Sequence, residues 1–247
     1  MGPVERRWDA GAPLGDVTPG MWLQQRLWTW GRGSTRQGVA VGCVVPTGFE
    51  AYARVLHPAW RQTERGLEPV RWSEIASWTG STVHPLMQFH RIAKLPAHPG
   101  QRAPTWGRVP TEGSLPRAEG ERLVAILRAF TAIPDRCYLG VWEGFGVPEL
   151  NAFANQPRLM LTHRAYFLFL GPIDAVTSLS IGTFQQPPNL WWPEDRAWCV
   201  ATDIDLSETY LAATTACVKR VIADPDLEAY AVPLDARIDV DGDVVNR

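Results

Sequence analysis

The sequence predicts an α+β fold: a single domain with a largely antiparallel sheet, two or three packed helices and a long loop rich in Pro, Gly and Arg. Three observations lead there. Short β-branched or aromatic runs recur in pairs separated by Pro- or Gly-containing turns, as hairpins do. The helical stretches are few and do not alternate regularly with the strands, so the rhythm of a doubly wound parallel sheet is missing. The composition is that of an ordinary globular protein, 45% apolar and 20% charged over 247 residues, enough chain to bury a sizeable core.

Residues 1–36 read as an irregular, Trp-rich arm, in which Leu23, Leu27 and Trp30 fall at helical spacing within Met21–Trp30. Gly38–Val45 and Phe49–His57 read as a hairpin joined through Pro46-Thr47-Gly48, opening a domain over 37–235. After a polar loop, Ser73 as N-cap and Gly80 as the residue past the end bracket a helix of about two turns. The stretch 95–116 reads as the long surface loop. It leads to the clearest helix, Glu119–Phe130, whose Leu123, Ile126, Leu127 and Phe130 share one face, with Ser114 or a neighbour as cap.

Arg136–Trp142 reads as a strand closed by the turn Glu143-Gly144-Phe145-Gly146. Arg158–Leu161 and Ala165–Leu170 form a second hairpin, followed by a short helix near Asp174–Leu179 and a strand over Arg196–Ile204. Ser207 then caps a last helix carrying Leu211, Val218, Val221 and Ile222, which Asp224-Pro225 ends. Leu227–Val232 is a final strand, and 236–247 reads as an acidic tail that frays.

Composition narrows the function classes. A formal net charge of −2 offers no clustered basic face, so no nucleic-acid partner is expected. The first residues, Met-Gly-Pro-Val-Glu-Arg-Arg-Trp, lack the apolar core of a signal peptide, and the most apolar run, Leu159–Leu170, is too short to span a bilayer. Cys43, Cys137, Cys199 and Cys217 are widely spaced with no C-x-x-C pair and read as small buried hydrophobes. The expectation is a cytoplasmic protein with reduced thiols, no membrane partner and no cofactor.

Two constellations could carry function. The first is a groove: Trp142, Glu143 and Phe145 at one turn and Trp191-Trp192-Pro193 at another are places where aromatic rings line a cleft, with Arg136, Arg164 and Arg196 at its edge. Such a groove suits a peptide, a nucleotide base or a partner protein's loop, and the competing reading is that the rings simply cover a sheet. The second is Asp203-Ile204-Asp205, where alternate side chains of a strand share a face; with His57, His84 and His90 these carboxylates could hold a metal. Against that stands the reading of Asp205 as a favourable charge at a helix start. No nucleophile elbow, phosphate loop or dinucleotide fingerprint is present, so catalytic residues are unknown.

Three segments, Gly48–Ala59, Val141–Gly146 and Trp191–Asp205, resemble a family of cytoplasmic proteins of unknown function typical of actinomycetes, over most of residues 38–232. The Trp-x-Gly-Phe-Gly turn and the α+β layout also bear a fainter likeness to intracellular immunity proteins of the SUKH type, without that group's early motif. The family brings no activity with it. The two function classes left are a non-catalytic protein-interaction factor, immunity or regulatory, and a small metal-dependent enzyme or ligand-binding protein.

Overall fold

The structure, a computed structural model, describes residues 7–29, 38–95, 107–162 and 164–247. Its centre is a sheet of eight strands: β1 (Ala51–Leu56), β2 (Cys137–Trp142), β3 (Leu159–Met160), β4 (Ala165–Gly171), β5 (Leu190–Pro193), β6 (Cys199–Ala201), β7 (Glu208–Ala213) and β8 (Ala229–Ala231). They lie in the order β8-β1-β7-β6-β5-β2-β4-β3, every neighbouring pair antiparallel. The described helices are α1 (Met21–Arg26), α2 (Trp72–Thr79), α3 (Phe89–Ile92), α4 (Arg117–Leu127), α5 (Pro148–Asn151) and α6 (Thr215–Ile222). The α+β class with a largely antiparallel sheet is therefore the observed one.

Both faces of this sheet are covered. On one, Leu139, Val141, Phe167, Phe169, Trp191 and Leu211 pack beneath Leu123 and Leu127 of α4 and Val218 and Val221 of α6. On the other, Tyr138, Tyr166, Leu168, Trp192 and Tyr210 pack beneath Trp22 and Leu23 of α1, Val41, Val45 and Ile238. Successive side chains of a strand point to opposite faces, so a strand buried on both sides reads as a continuous apolar run. The arm is thus one wall of the core, stitched on by Leu14 N–H to Leu168 O at 2.7 Å and Trp28 N–H to Gly42 O at 2.8 Å.

A third cluster, including Leu56, Trp72, Ile75, Met87 and Phe89, lies between α2, α3 and a hairpin of Ala59–Thr63 with Gly66–Val70. That hairpin lies in the stretch read as a polar loop, because its side chains are largely half-buried or exposed and give no apolar alternation. The helix α2 ends at Gly80 as expected, with φ +70°. Its start differs: the Glu228 carboxylate, not Ser73, accepts from Trp72 N–H at 2.6 Å and Ser73 N–H at 2.8 Å. A cap supplied from a distant part of the chain leaves no local sequence signal.

Other expectations need correcting. Val41–Cys43 is a turn of 3-10 helix where a hairpin strand was expected. The helix expected from Ser207 is strand β7 followed by α6, whose cap is Thr214, its hydroxyl accepting from Cys217 N–H at 3.3 Å. All six residues of β7 are buried between the two covered faces, so its apolar positions mimic a helix stripe. No side chain caps α4, which begins after Pro116. Within the expected 95–116 loop, residues 96–106 lie outside the described residues; Gly107–Arg108 pairs with the Ala59–Thr63 strand and Leu115 enters the core. The tail is pinned: Asp243 is buried, and Asn246 bonds Thr82 through its side-chain oxygen at 2.8 Å and nitrogen at 3.0 Å.

Candidate functional site

The half-exposed aromatic turn and the paired carboxylates meet at one end of the sheet because of strand register. Trp142 of β2 pairs with Tyr166 of β4, which places Arg164, two residues earlier, beyond the end of β2. Asp203 and Asp205 flank the turn from β6 to β7, closed by Leu206 N–H to Asp203 O at 3.1 Å. Asp203 Oδ1 also accepts from Asp205 N–H at 3.1 Å, a local bond that favours a turn over a strand. The carboxylates thus belong to a hairpin turn, neither to a strand end nor to a helix start as the sequence suggested.

Arg164 joins these parts. One terminal nitrogen of its guanidinium lies 3.2 Å from Asp203 Oδ1 and 2.6 Å from Asp205 Oδ2. Its charged carbon sits 5.9 Å from the centre of the Trp142 ring, within cation–π range. Burial works against the guanidinium charge, but Asp203 and Asp205 outweigh it and hold its pKa above the ordinary value. Burial, reinforced by Asp203, pushes the neighbouring Tyr166 phenol well above its usual range. Phe145 meets Trp142 edge-on, ring centres 5.3 Å apart, and Glu143 pairs with Arg158 beside them.

Two residues overlooked in the sequence hold this end in place. Asn189, just before β5, accepts from Trp142 N–H at 3.1 Å and donates to Gly113 O at 3.1 Å and Thr202 O at 3.3 Å. One amide thereby satisfies the backbone where the ladder stops. Gly113, at φ +71°, crosses the Asp203–Asp205 turn so closely that a Cβ would lie 2.7 Å from Ile204 O. An Asn before an apolar run and a Gly in a loop are too common to mark a site.

The structure does not assemble the expected groove. Trp142, Glu143, Phe145 and Arg164 are together, but Trp191 and Trp192 are each 0% exposed and point to opposite faces of the sheet. Trp191 meets Trp198 edge-on at 5.1 Å, whereas Trp192 stacks on Tyr138 at 5.5 Å and meets Trp22 at 6.1 Å. Adjacent residues of a strand cannot line one cleft, and full coverage of both faces removes each from the surface. Arg196 lies past the far end of β5, its guanidinium 5.3 Å from the Trp22 ring centre.

The expected metal ligands are likewise dispersed. His57 is fully buried, its Nδ1 2.7 Å from Thr111 O and its Nε2 2.9 Å from Thr209 Oγ1. Burial lowers its pKa to about 4, so the ring is neutral near pH 7. A carbonyl only accepts, so Nδ1 carries the proton, Nε2 accepts from the Thr209 hydroxyl, and Thr202 donates to Thr209 at 2.7 Å. His84 Nε2 lies 2.9 Å from Asp243 Oδ1, and His90 is buried on α3. Among the described residues no three His, Cys, Asp or Glu side chains are gathered as cation ligands. Asp203 and Asp205 are paired with a guanidinium instead.

A pocket beside Arg164, Asp203, Asn189 and Thr202 measures about 30 Å³, the scale of a water molecule rather than an organic substrate. Chemically, this end offers a preformed patch of aromatic faces and fixed charges. Among the described residues no helix is long and apolar enough to cross a membrane. Comparison with family models, with curated proteins and with solved structures finds no match.

Proposed function

We propose that this chain is a non-catalytic protein-interaction factor of immunity or regulatory type that contacts its partner through the Trp142–Phe145 turn, Arg164 and Asp205. The observation that carries the reading is the clamp on Arg164, held by Asp203 and Asp205 at 3.2 and 2.6 Å and set against the half-buried Trp142 ring. A guanidinium and an indole fixed in the free protein lose little conformational freedom on binding, and Arg and Trp are the side chains that anchor protein interfaces. Asp205, 68% exposed, holds Arg164 through Oδ2 and turns the rest of its carboxylate to solvent, where a donor on the partner can reach it. The immunity or regulatory class rests on the sequence resemblance. A cytoplasmic setting is supported by the four free thiols.

The test is affinity purification of the native chain from its source cells beside a Trp142→Ala variant. The reading expects one stoichiometric partner with the wild type and its loss with the variant, which stays folded at the purification temperature because it gives up only the Phe145 and Arg164 contacts of a half-buried ring. Recovery of no partner, or equal recovery by both proteins, overturns it.

A further inference from the structure

Away from the Arg164 end, a cavity of about 280 Å³ opens between the start of α4, the segment Val176–Leu179 and Gln185–Pro187. This volume lies just below the usual ligand-pocket range of about 300–1,000 Å³, so it suits a fragment-sized molecule. Its lining includes an apolar part: Leu115 and Leu179, 2% and 3% exposed members of the main core, contribute to it beside Pro116, Val176 and Pro187. Its rim is polar, and three of its members are unspent. Arg7, Ser114 and Gln185 make no side-chain hydrogen bond or ion pair with any described residue.

Charge decides the ligand class. Arg117, the other guanidinium on the rim, is balanced by Glu121 at 2.8 Å, which leaves Arg7 as the excess positive charge. The strand Trp8–Asp9, paired with Leu179 and Ser180, fixes the backbone immediately after Arg7 beside the cavity. A lining that combines Leu115, Val176 and Leu179 with one unbalanced guanidinium, a hydroxyl and a carboxamide complements a short apolar body bearing a single carboxylate. Guanidinium and carboxylate match as a two-pronged pair, and the hydroxyl and amide can donate to the same oxygens.

We propose that this cavity is a binding site for small monocarboxylic acids with a compact apolar body, their carboxylate at Arg7 and their apolar part on Leu115 and Leu179. This site is separate from the protein-contact surface and does not depend on it. The test is an amide NMR titration of the full chain with phenylacetate, with phenylacetamide as its uncharged counterpart, on wild type and an Arg7→Gln variant. Saturable shifts confined to residues 114–117 and 176–179, weakened about tenfold or more for the amide and for the variant, support the site, tenfold being the factor lost with one modest charge pair. Absence of saturable shifts there, equal response to acid and amide, or an unchanged response in the variant overturns it. Arg7 is exposed, so its substitution leaves the fold intact.

Discussion

Glu208 Oε1 lies 2.9 Å from Arg54 Nη2 with both side chains sealed from solvent, a complete ion pair between strands β7 and β1. The pair is not isolated. Arg54 donates to Pro85 O at 3.0 Å and Met87 O at 2.8 Å, Tyr210 O–H donates to the same Glu208 oxygen at 3.1 Å, and the guanidinium sits 5.4 Å from the Trp72 ring centre. One buried cation thereby ties the central sheet to the loop before α3 and to α2. Where burial alone would weaken the arginine's charge, Glu208 restores it and holds the pKa above the ordinary value.

Removing one member strands the other charge in the core. Glu208→Gln is therefore expected to cost about 3–5 kcal/mol, the range for breaking a buried pair. Urea unfolding measures it: the midpoint should fall with the slope unchanged, and added salt should barely move the difference, since a sealed pair is poorly screened. A loss below about 1 kcal/mol would show that the pair contributes no more than an exposed one.

His57 makes stability depend on pH. Its folded-state pKa is lowered from 6.5 to about 4, so the unfolded chain binds its proton more readily. The contribution is fully present above the unfolded value of 6.5 and is lost as pH falls toward 4, about 3 kcal/mol in all. Other acids titrate below this window as well, so the comparison needs a His57→Gln variant. Unfolding free energies measured from pH 7 to pH 4 should converge for the two proteins as pH falls; parallel curves would mean that the imidazole binds its proton equally well in the folded and unfolded chain.

Gly113 tests the support of the Arg164 end. Substitution by Ala combines the strain of φ +71° with a Cβ 2.7 Å from Ile204 O and 3.0 Å from Ile204 Cα, both backbone atoms that cannot swing aside. A cost of about 2 kcal/mol is expected, a fall in Tm of about 4–8 °C for a chain of this size. The shift should be accompanied by chemical-shift changes at Asn189 and Asp205. An unmoved Tm would mean that the loop crosses the turn with room to spare.

What the sequence made legible follows from where each signal lies. The strand ending at Trp142, the hairpin into β4, the α4 stripe and the αL glycine after α2 are local patterns, and the structure contains them. Strand β7 reads as helix in sequence because Tyr210 and Leu211 are apolar on opposite covered faces, which hides the two-residue alternation. The cap on Trp72 comes from Glu228, and the pair holding Arg54 comes from Glu208, each more than 150 positions away in sequence. Of the candidate residues, Trp142 with Phe145 and Asp203 with Asp205 were each readable as neighbours. That Arg164 unites them depends on strand register, which no short window contains.

The aromatic residues of the expected groove differ most in burial, Trp191 and Trp192 being enclosed and Trp142 half-buried. Trp192 is fully enclosed, with Tyr138 stacked at 5.5 Å and Trp22 edge-on at 6.1 Å, so Trp192→Ala leaves a cavity with no neighbour able to fill it. A cost of about 3–5 kcal/mol is expected. Trp142 is half-buried and has Phe145 on one side and Arg164 on another, so Trp142→Ala loses partial burial and one cation–π contact, about 1–2 kcal/mol. Guanidinium unfolding of both variants, with iodide quenching of Trp fluorescence in the native state, checks the division. Accessible quenching should fall in Trp142→Ala and stay unchanged in Trp192→Ala; the reverse order in stability or in quenching would put Trp192 back at the surface.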